Sequence, residues 1–194
     1  MSTAGALQAI DASLDYLSRI VSAQKNSSHL DFDRLLIAYL ETRRQLAKSF
    51  RELASLVLVK ASERINEARA DIEGHMRSEF GGIVPDRLLE VRGYATVHAL
   101  LLEYLASHRG EPVAASRLRV LVGDQVHTER RVRELRDLGF PVTWKRVAGE
   151  DQYVLETADP DLDQAARSQL ALNIRADKHL SKDARGSFLE LTRR

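Results

Sequence analysis

The residues whose types and spacing point most directly to chemistry are the arginines of the run Thr128–Asp137, TERRVRELRD. Counted at about 100° per residue, Val132, Leu135 and the following Leu138 fall on one helical face. Arg130, Arg133 and Asp137 lie opposite, Glu129, Glu134 and Arg136 lie on the flanks, and Arg131 sits near the apolar edge. A guanidinium on the outer face of such a helix can present two donors to the O6 and N7 acceptors of guanine in a major groove. Arg130 and Arg133 are therefore candidate base readers, whereas the position of Arg131 fits a snorkelling side chain. Further on, Lys145 and Arg146 occupy a strand suited to touching phosphate. From Arg109 to Arg146 nine basic residues face five acidic ones, while the whole chain has 29 Lys+Arg against 28 Asp+Glu. The positive charge is local, so no global field draws the chain onto polyanions.

Catalytic chemistry is harder to find. The chain has no cysteine, and its histidines are scattered at positions 29, 75, 98, 108, 127 and 179. A zinc site built from Cys pairs is excluded, and no closely spaced histidine set stands out. His75 and Glu79 share a helical face at a spacing metals sometimes use, but two ligands do not make a site. Gly81-Gly82 lacks the Lys-Ser/Thr that would follow in a phosphate loop. Asp86, Glu90 and Lys145 form too loose a set of two carboxylates and a lysine to credit as a nuclease centre. Ser27, Ser28 and Ser187 have no His/Asp context to activate them. No catalytic residue, metal or cofactor is expected from the sequence.

Several elements must position the arginines. Leu100, Leu101, Tyr104 and Leu105 have amphipathic spacing and end at Arg109-Gly110, followed by Pro112. A second helix is expected from about Ala114 to Val122, with Leu118, Leu121 and Val122 inward. Gly123 supplies a turn, Asp124 is placed to cap the third helix, and Gly139 ends that helix. Phe140, Val142 and Trp144, then Tyr153 and Leu155, alternate with polar residues around Ala148-Gly149-Glu150, predicting a two-stranded hairpin. Helix, turn, helix and basic hairpin in this order read as a winged helix-turn-helix.

The segments GEPVAASRLRVLVG and ERRVRELRDLGFPV, with a wing ending in YVLET, resemble the winged-helix domain that accompanies HNH-type and restriction endonucleases. The resemblance covers about Ala95 to Thr157. It implies a module that grips DNA for a separate catalytic domain, with Arg130, Arg131, Arg133 and Arg136 facing the DNA. The C-terminal run HLSKDARGSFLELTRR resembles the helix that leads into such a nuclease domain; a short helix packing onto the wing is the commoner explanation of it.

The first part of the chain is different. Leu7, Ile10, Leu14, Leu17 and Val21 follow the seam spacing of a coiled coil or helical hairpin, broken at Lys25–Ser28. Asp31 or Asp33 can cap the next helical stretch. Its apolar residues are Phe32, Leu35, Leu36, Tyr39, Leu46, Phe50, Leu53, Val57, Ile65, Ala68, Ile72 and Met76. They run without proline to Gly81, as one long helix or two. A single helix would extend about 70 Å at 1.5 Å per residue, beyond what the first helix can cover. A second copy is the simplest cover, with Leu46, Phe50, Leu53 and Val57 as dimerisation residues. The alternative is an intramolecular bundle in which the stretch bends back onto Asp161–Ile174.

The expected fold is mainly α: an N-terminal long-helix hairpin or coiled coil, then a winged helix-turn-helix with a two-stranded wing and a C-terminal helix. The expected domains are 1–80 for dimerisation or scaffolding, 81–93 as linker, 94–157 as the DNA-binding winged helix, and 158–194 as a helical segment. No apolar run approaches a bilayer span, so no membrane is expected, and cysteine-free composition makes the cytoplasm the default. The candidate DNA contacts are Arg117, Arg119, Gln125, Thr128, Arg130, Arg131, Arg133, Arg136, Lys145 and Arg146. The expected partners are double-stranded DNA, a second copy of the chain and a nuclease domain or subunit, as in a restriction or phage-defence system. A transcriptional regulator, or a structural subunit docking through its long helices, are the competing classes.

Overall fold

The computed structural model describes residues 2–26, 29–58, 60–94, 96–124 and 127–193. Within them the chain is mainly helical, with a small antiparallel sheet of three strands. Helices α1 (Thr3–Lys25), α2 (Phe32–Val57), α3 (Ala61–Phe80) and α4 (Thr96–Ser107) come first. Strand β1 (Val113–Ala114), α5 (Ala115–Leu121), α6 (Thr128–Asp137), β2 (Val142–Val147), β3 (Glu150–Leu155), α7 (Leu162–Ala176) and α8 (Lys182–Leu191) follow.

The chain divides into two compact units, one of residues 1–59 with 116–128 and the other of residues 60–115 with 129–194. In the first unit α1 and α2 pack as a hairpin. Ser2 caps α1 by accepting from the Gly5 N–H, and Asp31 caps α2 by accepting from Arg34. The packed seam is built of small side chains. Ala6, Ala38, Thr42 and Ser49 are buried, and the Thr42 hydroxyl donates to the Ser13 carbonyl at 3.4 Å. Leu7, Leu14 and Val21, expected on the α1 seam, are exposed, as are Phe32, Leu36 and Tyr39 of α2. Small residues allow close approach of the two helices, while Ile10, Leu17, Leu35, Leu46 and Leu53 of the expected seams are half-buried.

The stretch 32–80 is two helices, since α2 ends at Val57 and α3 begins at Ala61. There is no single 70 Å helix to cover. The α3 residues Ile65, Ala68, Ile72, Met76 and Phe80 are buried at three- and four-residue spacing, and α3 packs on α4 and α7. The intramolecular arrangement with Asp161–Ile174 thus accounts for the second half of the expected seam.

Residues 81–93, expected as a linker, are firmly held in the second unit. Leu88, Leu89 and Val91 are buried. The Asn173 side-chain amide on α7 donates to the Leu88 and Glu90 carbonyls at 2.8 and 2.7 Å, and Arg69 donates to the Val91 carbonyl at 2.8 Å. Side chains 22 to 85 positions away satisfy this irregular backbone, which is what keeps it ordered without a regular ladder.

The hairpin forms around Ala148 and Gly149, both with positive φ (50° and 83°), the pairing demanded by a two-residue turn whose twist matches its strands. The expected two-stranded wing carries a third strand. Val113 and Ala114 pair with Tyr153 and Gln152, giving the order β1-β3-β2. Helix α8 is anchored on α7, where Arg167 donates to the Leu191 carbonyl at 3.2 Å.

Candidate nucleic-acid interface

Helix α6 is fixed to the second unit by Val132, Leu135 and Leu138, all fully buried, so its inward face matches the sequence periodicity. Its C-terminal end is set by Gly139, with φ +78°. A Cβ built there would lie 2.3 Å from the Asp161 carbonyl oxygen, and the Asp161 N–H donates to the Gly139 carbonyl at 2.9 Å. The buried Gln169 of α7 adds a second tie, donating to the Asp137 carbonyl at 2.8 Å and to the Tyr94 hydroxyl at 2.6 Å. Burial pushes the Tyr94 phenol up to about 12.

The arginines of α6 separate into two kinds. Arg130 Nε donates to Glu134 Oε1 and Arg131 Nη1 to Glu134 Oε2, both at 2.9 Å. On its inner side Glu134 Oε2 lies 2.8 Å from Nε2 of His98, whose side chain is almost wholly buried. An ionised carboxylate can only accept, so the imidazole donates. Burial raises the Glu134 carboxyl, but the bonds from His98, Arg131 and Arg130 outweigh it and hold the group below its ordinary value. Arg133 and Arg136, by contrast, are exposed and have no ion pair or hydrogen bond from their guanidinium groups among the described residues. Arg131 is less exposed than Arg130, in keeping with its place near the apolar edge.

Two clefts flank this stripe and share Arg133 and Arg136. One, of about 660 Å³, is lined by Arg92, Gly93, Tyr94, Leu172 and the α6 residues 130, 131, 133, 134, 136 and 137. The other, of about 690 Å³, lies between α6 and the sheet and is lined by Glu129, Arg133, Arg136, Val142, Thr143, Trp144, Asp151 and Tyr153. The strand register pairs Val142 with Leu155, Trp144 with Tyr153 and Arg146 with Asp151, which puts these six on one face of the sheet. Val142, Tyr153 and Leu155 are buried, whereas Trp144 is 53% exposed. The expected inward alternation of β2 therefore stops after its first residue. Lys145 points to the opposite face of the sheet from Arg146, and both are exposed.

The remaining expected contacts are distributed differently. Arg117 and Arg119 are exposed on α5, in the first unit. Thr128 is buried, so its side chain offers no surface to a ligand. Gln125 lies outside the described residues. Asp124 does not cap the third helix: α6 begins four residues later, at Thr128, and the Asp124 carboxylate instead accepts from Arg43 Nε at 2.6 Å. In the same unit the Gly123 α-carbon approaches α2 so closely that a Cβ would lie 3.2 Å from the Ala47 carbonyl. Leu118 and Val122 of this segment are buried as expected, and Leu121 is half-buried.

Among the described residues one group has metal-ligand chemistry. His75, Glu79 and Asp163 bring ligand atoms within 4.8 Å of one another. Sequence spacing showed the first two, and α7 adds the third. His75 Nε2 is 2.6 Å from Asp163 Oδ1, and Glu79 is held by Arg167. A cation entering here would meet that guanidinium, so the group reads as a closed ion-pair cluster between α3 and α7. Glu90, half of the loose carboxylate set, is engaged by Arg92 at 2.5 Å.

A family model described as the KpnI N-terminal domain matches residues 98–156. The matched segment begins at His98 and ends just after β3, so it takes in the buried His98, the α6 arginines and the whole hairpin. The match links this part of the chain to a restriction-enzyme-related domain. No curated protein and no solved structure matches the chain. No helix among the described residues is long and apolar enough to cross a membrane.

Proposed function

We propose that the chain is a double-stranded DNA-binding protein that serves as the recognition module of a restriction or phage-defence system, with a nuclease domain or subunit as its catalytic partner. The observation that carries this reading is the α6 stripe in which Arg133 and Arg136 stand exposed, without an ion pair among the described residues, beside the hairpin strand that carries Lys145 and Arg146. The similarity of residues 98–156 to the KpnI N-terminal domain supports it. Exposed guanidiniums that form no internal ion pair lose little hydration energy to their own fold and are available to phosphate or to guanine. Arg130, Arg131, Arg133 and Arg136 supply the helix side of the contact, Lys145 and Arg146 the hairpin side, and Arg117 and Arg119 further positive charge. The reading retains the winged helix-turn-helix arrangement of residues 94–157 as its geometry of docking.

The test is a mobility-shift titration of a random-sequence duplex at several salt concentrations, with magnesium present and the DNA then inspected for cleavage. Binding should fall with salt at a log–log slope of about 0.9 per phosphate contacted. Salt-insensitive or absent binding would sink the proposal, and cutting of the DNA would show a nuclease centre within the chain itself.

A second reading has its own observation. Leu7, Leu14, Val21, Leu36, Ile37, Tyr39, Leu40 and Phe50 are exposed on the α1–α2 hairpin. So much apolar surface on two helices favours docking, either between two copies of the chain or onto a larger complex in which this is a structural subunit. Leu46 and Leu53 are half-buried, and the Val57 side chain lies outside the described residues. We place a homodimer contact on this hairpin.

A further inference from the structure

We propose that the cleft between α6 and the β2–β3 hairpin holds an unstacked nucleic-acid base, with Trp144 as the stacking surface and Asp151 as the acceptor for an exocyclic amino group; this rests on the DNA-binding reading above. Trp144 is 53% exposed, although Val142 and the cross-strand Tyr153 on the same face of the sheet are buried. It faces the cleft together with Arg133 and Arg136. The half-exposed indole offers a flat π surface beside the Arg133 and Arg136 guanidiniums, which form no ion pair among the described residues although Glu129 and Asp151 line the same cleft. In an intact duplex only the edges of the bases are accessible, because their faces are covered by neighbouring bases. A π face in a cleft is matched only by a base that has left the stack.

Asp151 supplies the polar end of the cleft. Its side chain is 35% exposed and lines the cleft, with Oδ1 in an ion pair 3.8 Å from Arg146 Nε and without a hydrogen bond among the described residues. An ionised carboxylate only accepts, and an amino group of cytosine or adenine is a donor of suitable chemistry for its exposed part. The arrangement therefore selects a base with an exocyclic amine, extruded from or unpaired in a strand whose phosphates Arg133 and Arg136 hold.

Trp144 is the single tryptophan of the chain, so its emission reports on this cleft alone. The experiment compares a fully paired duplex with the same duplex carrying one unpaired cytosine, reading binding by mobility shift and stacking by tryptophan emission. The expected result is at least roughly fivefold tighter binding of the duplex with the unpaired base, accompanied by quenching that the paired duplex does not give. Trp144→Ala should reduce that preference to none, Trp144→Phe should retain most of it, and Asp151→Asn should favour a thymine over a cytosine at the unpaired position. Equal binding of both duplexes with unchanged emission overturns the base pocket and leaves DNA binding standing. Loss of affinity by Trp144→Ala for both duplexes alike also overturns it. Binding of neither duplex removes the DNA-binding reading and the pocket together.

Discussion

His98 and Glu134 meet at 2.8 Å beneath helix α6, and through Glu134 the buried imidazole reaches the two arginines on the surface above it. One carboxylate thus divides the basic residues of α6. Arg130 and Arg131 are held in a fixed geometry by Glu134, while Arg133 and Arg136 are left unpaired among the described residues.

Removing that carboxylate should be felt in stability. Glu134→Gln should cost about 1.5–3 kcal/mol in urea unfolding, the range for hydrogen bonds to charged groups. The held-down carboxyl of Glu134 stabilises the fold above its unfolded-state value, and the contribution disappears as pH falls through the lower folded-state value. The gap between wild type and Glu134→Gln should therefore be constant above about pH 5 and close on further acidification. A gap that grows in acid would contradict the assigned direction.

The α6 arginines and the hairpin lysine should behave differently on DNA. Arg130→Ala and Arg133→Ala should each cost about 1–3 kcal/mol on a selected sequence and less on random duplex, if they read bases. Lys145→Ala, on the opposite face of the sheet from Trp144, should weaken all duplexes alike. Equal losses on both kinds of DNA for Arg133→Ala would reject it as a base reader.

Two glycines with the same backbone sign should differ in their tolerance of alanine. Gly139 (φ +78°) would place a Cβ 2.3 Å from a backbone oxygen, whereas Gly149 (φ +83°) has nothing within 4 Å of its added Cβ. Gly149→Ala should cost only the left-handed strain, about 1–2 kcal/mol. Gly139→Ala should cost clearly more, because Asp161 must move, and thermal unfolding of the pair decides the order.

Phe50 is 44% exposed on α2, so Phe50→Asp should leave the helical spectrum intact. If the hairpin joins two copies, the same change should halve the mass measured by light scattering. An unchanged mass would place the dimer contact elsewhere or remove it.

Periodicity made much of this legible in advance. The inward faces of α3, α4 and α6, the Asp31 cap and the hairpin around Gly149 were all written in local spacing. What sequence hid was long-range or too short to have a period. Strand β1 is two residues long and exists only because β3 offers it an edge. The end of α2 comes in an apolar run without Gly or Pro, where no local breaker marks it. Asp124 has the local look of a helix cap, but an arginine 81 positions earlier takes its carboxylate. The alternation of β2 predicts Trp144 inward because period alone does not say where the covering helix stops. The pairs of Glu134 with Arg130 and Arg131 follow local helical spacing, but its third partner, His98, lies 36 positions earlier, a relationship no local pattern contains.

The backbone contact between Gly139 and Asp161 closes residues 140–160 into a loop whose two ends already touch. The β2–β3 hairpin is therefore a segment closed at its base and rooted in the core by Phe140, Val142, Tyr153 and Leu155. Only its exposed tip around Ala148 and Gly149 can change length without disturbing those residues or the pairing of β3 with Val113 and Ala114. Variation of the hairpin tip on an unchanged helical frame is thus open to this chain by simple replacement of a few residues.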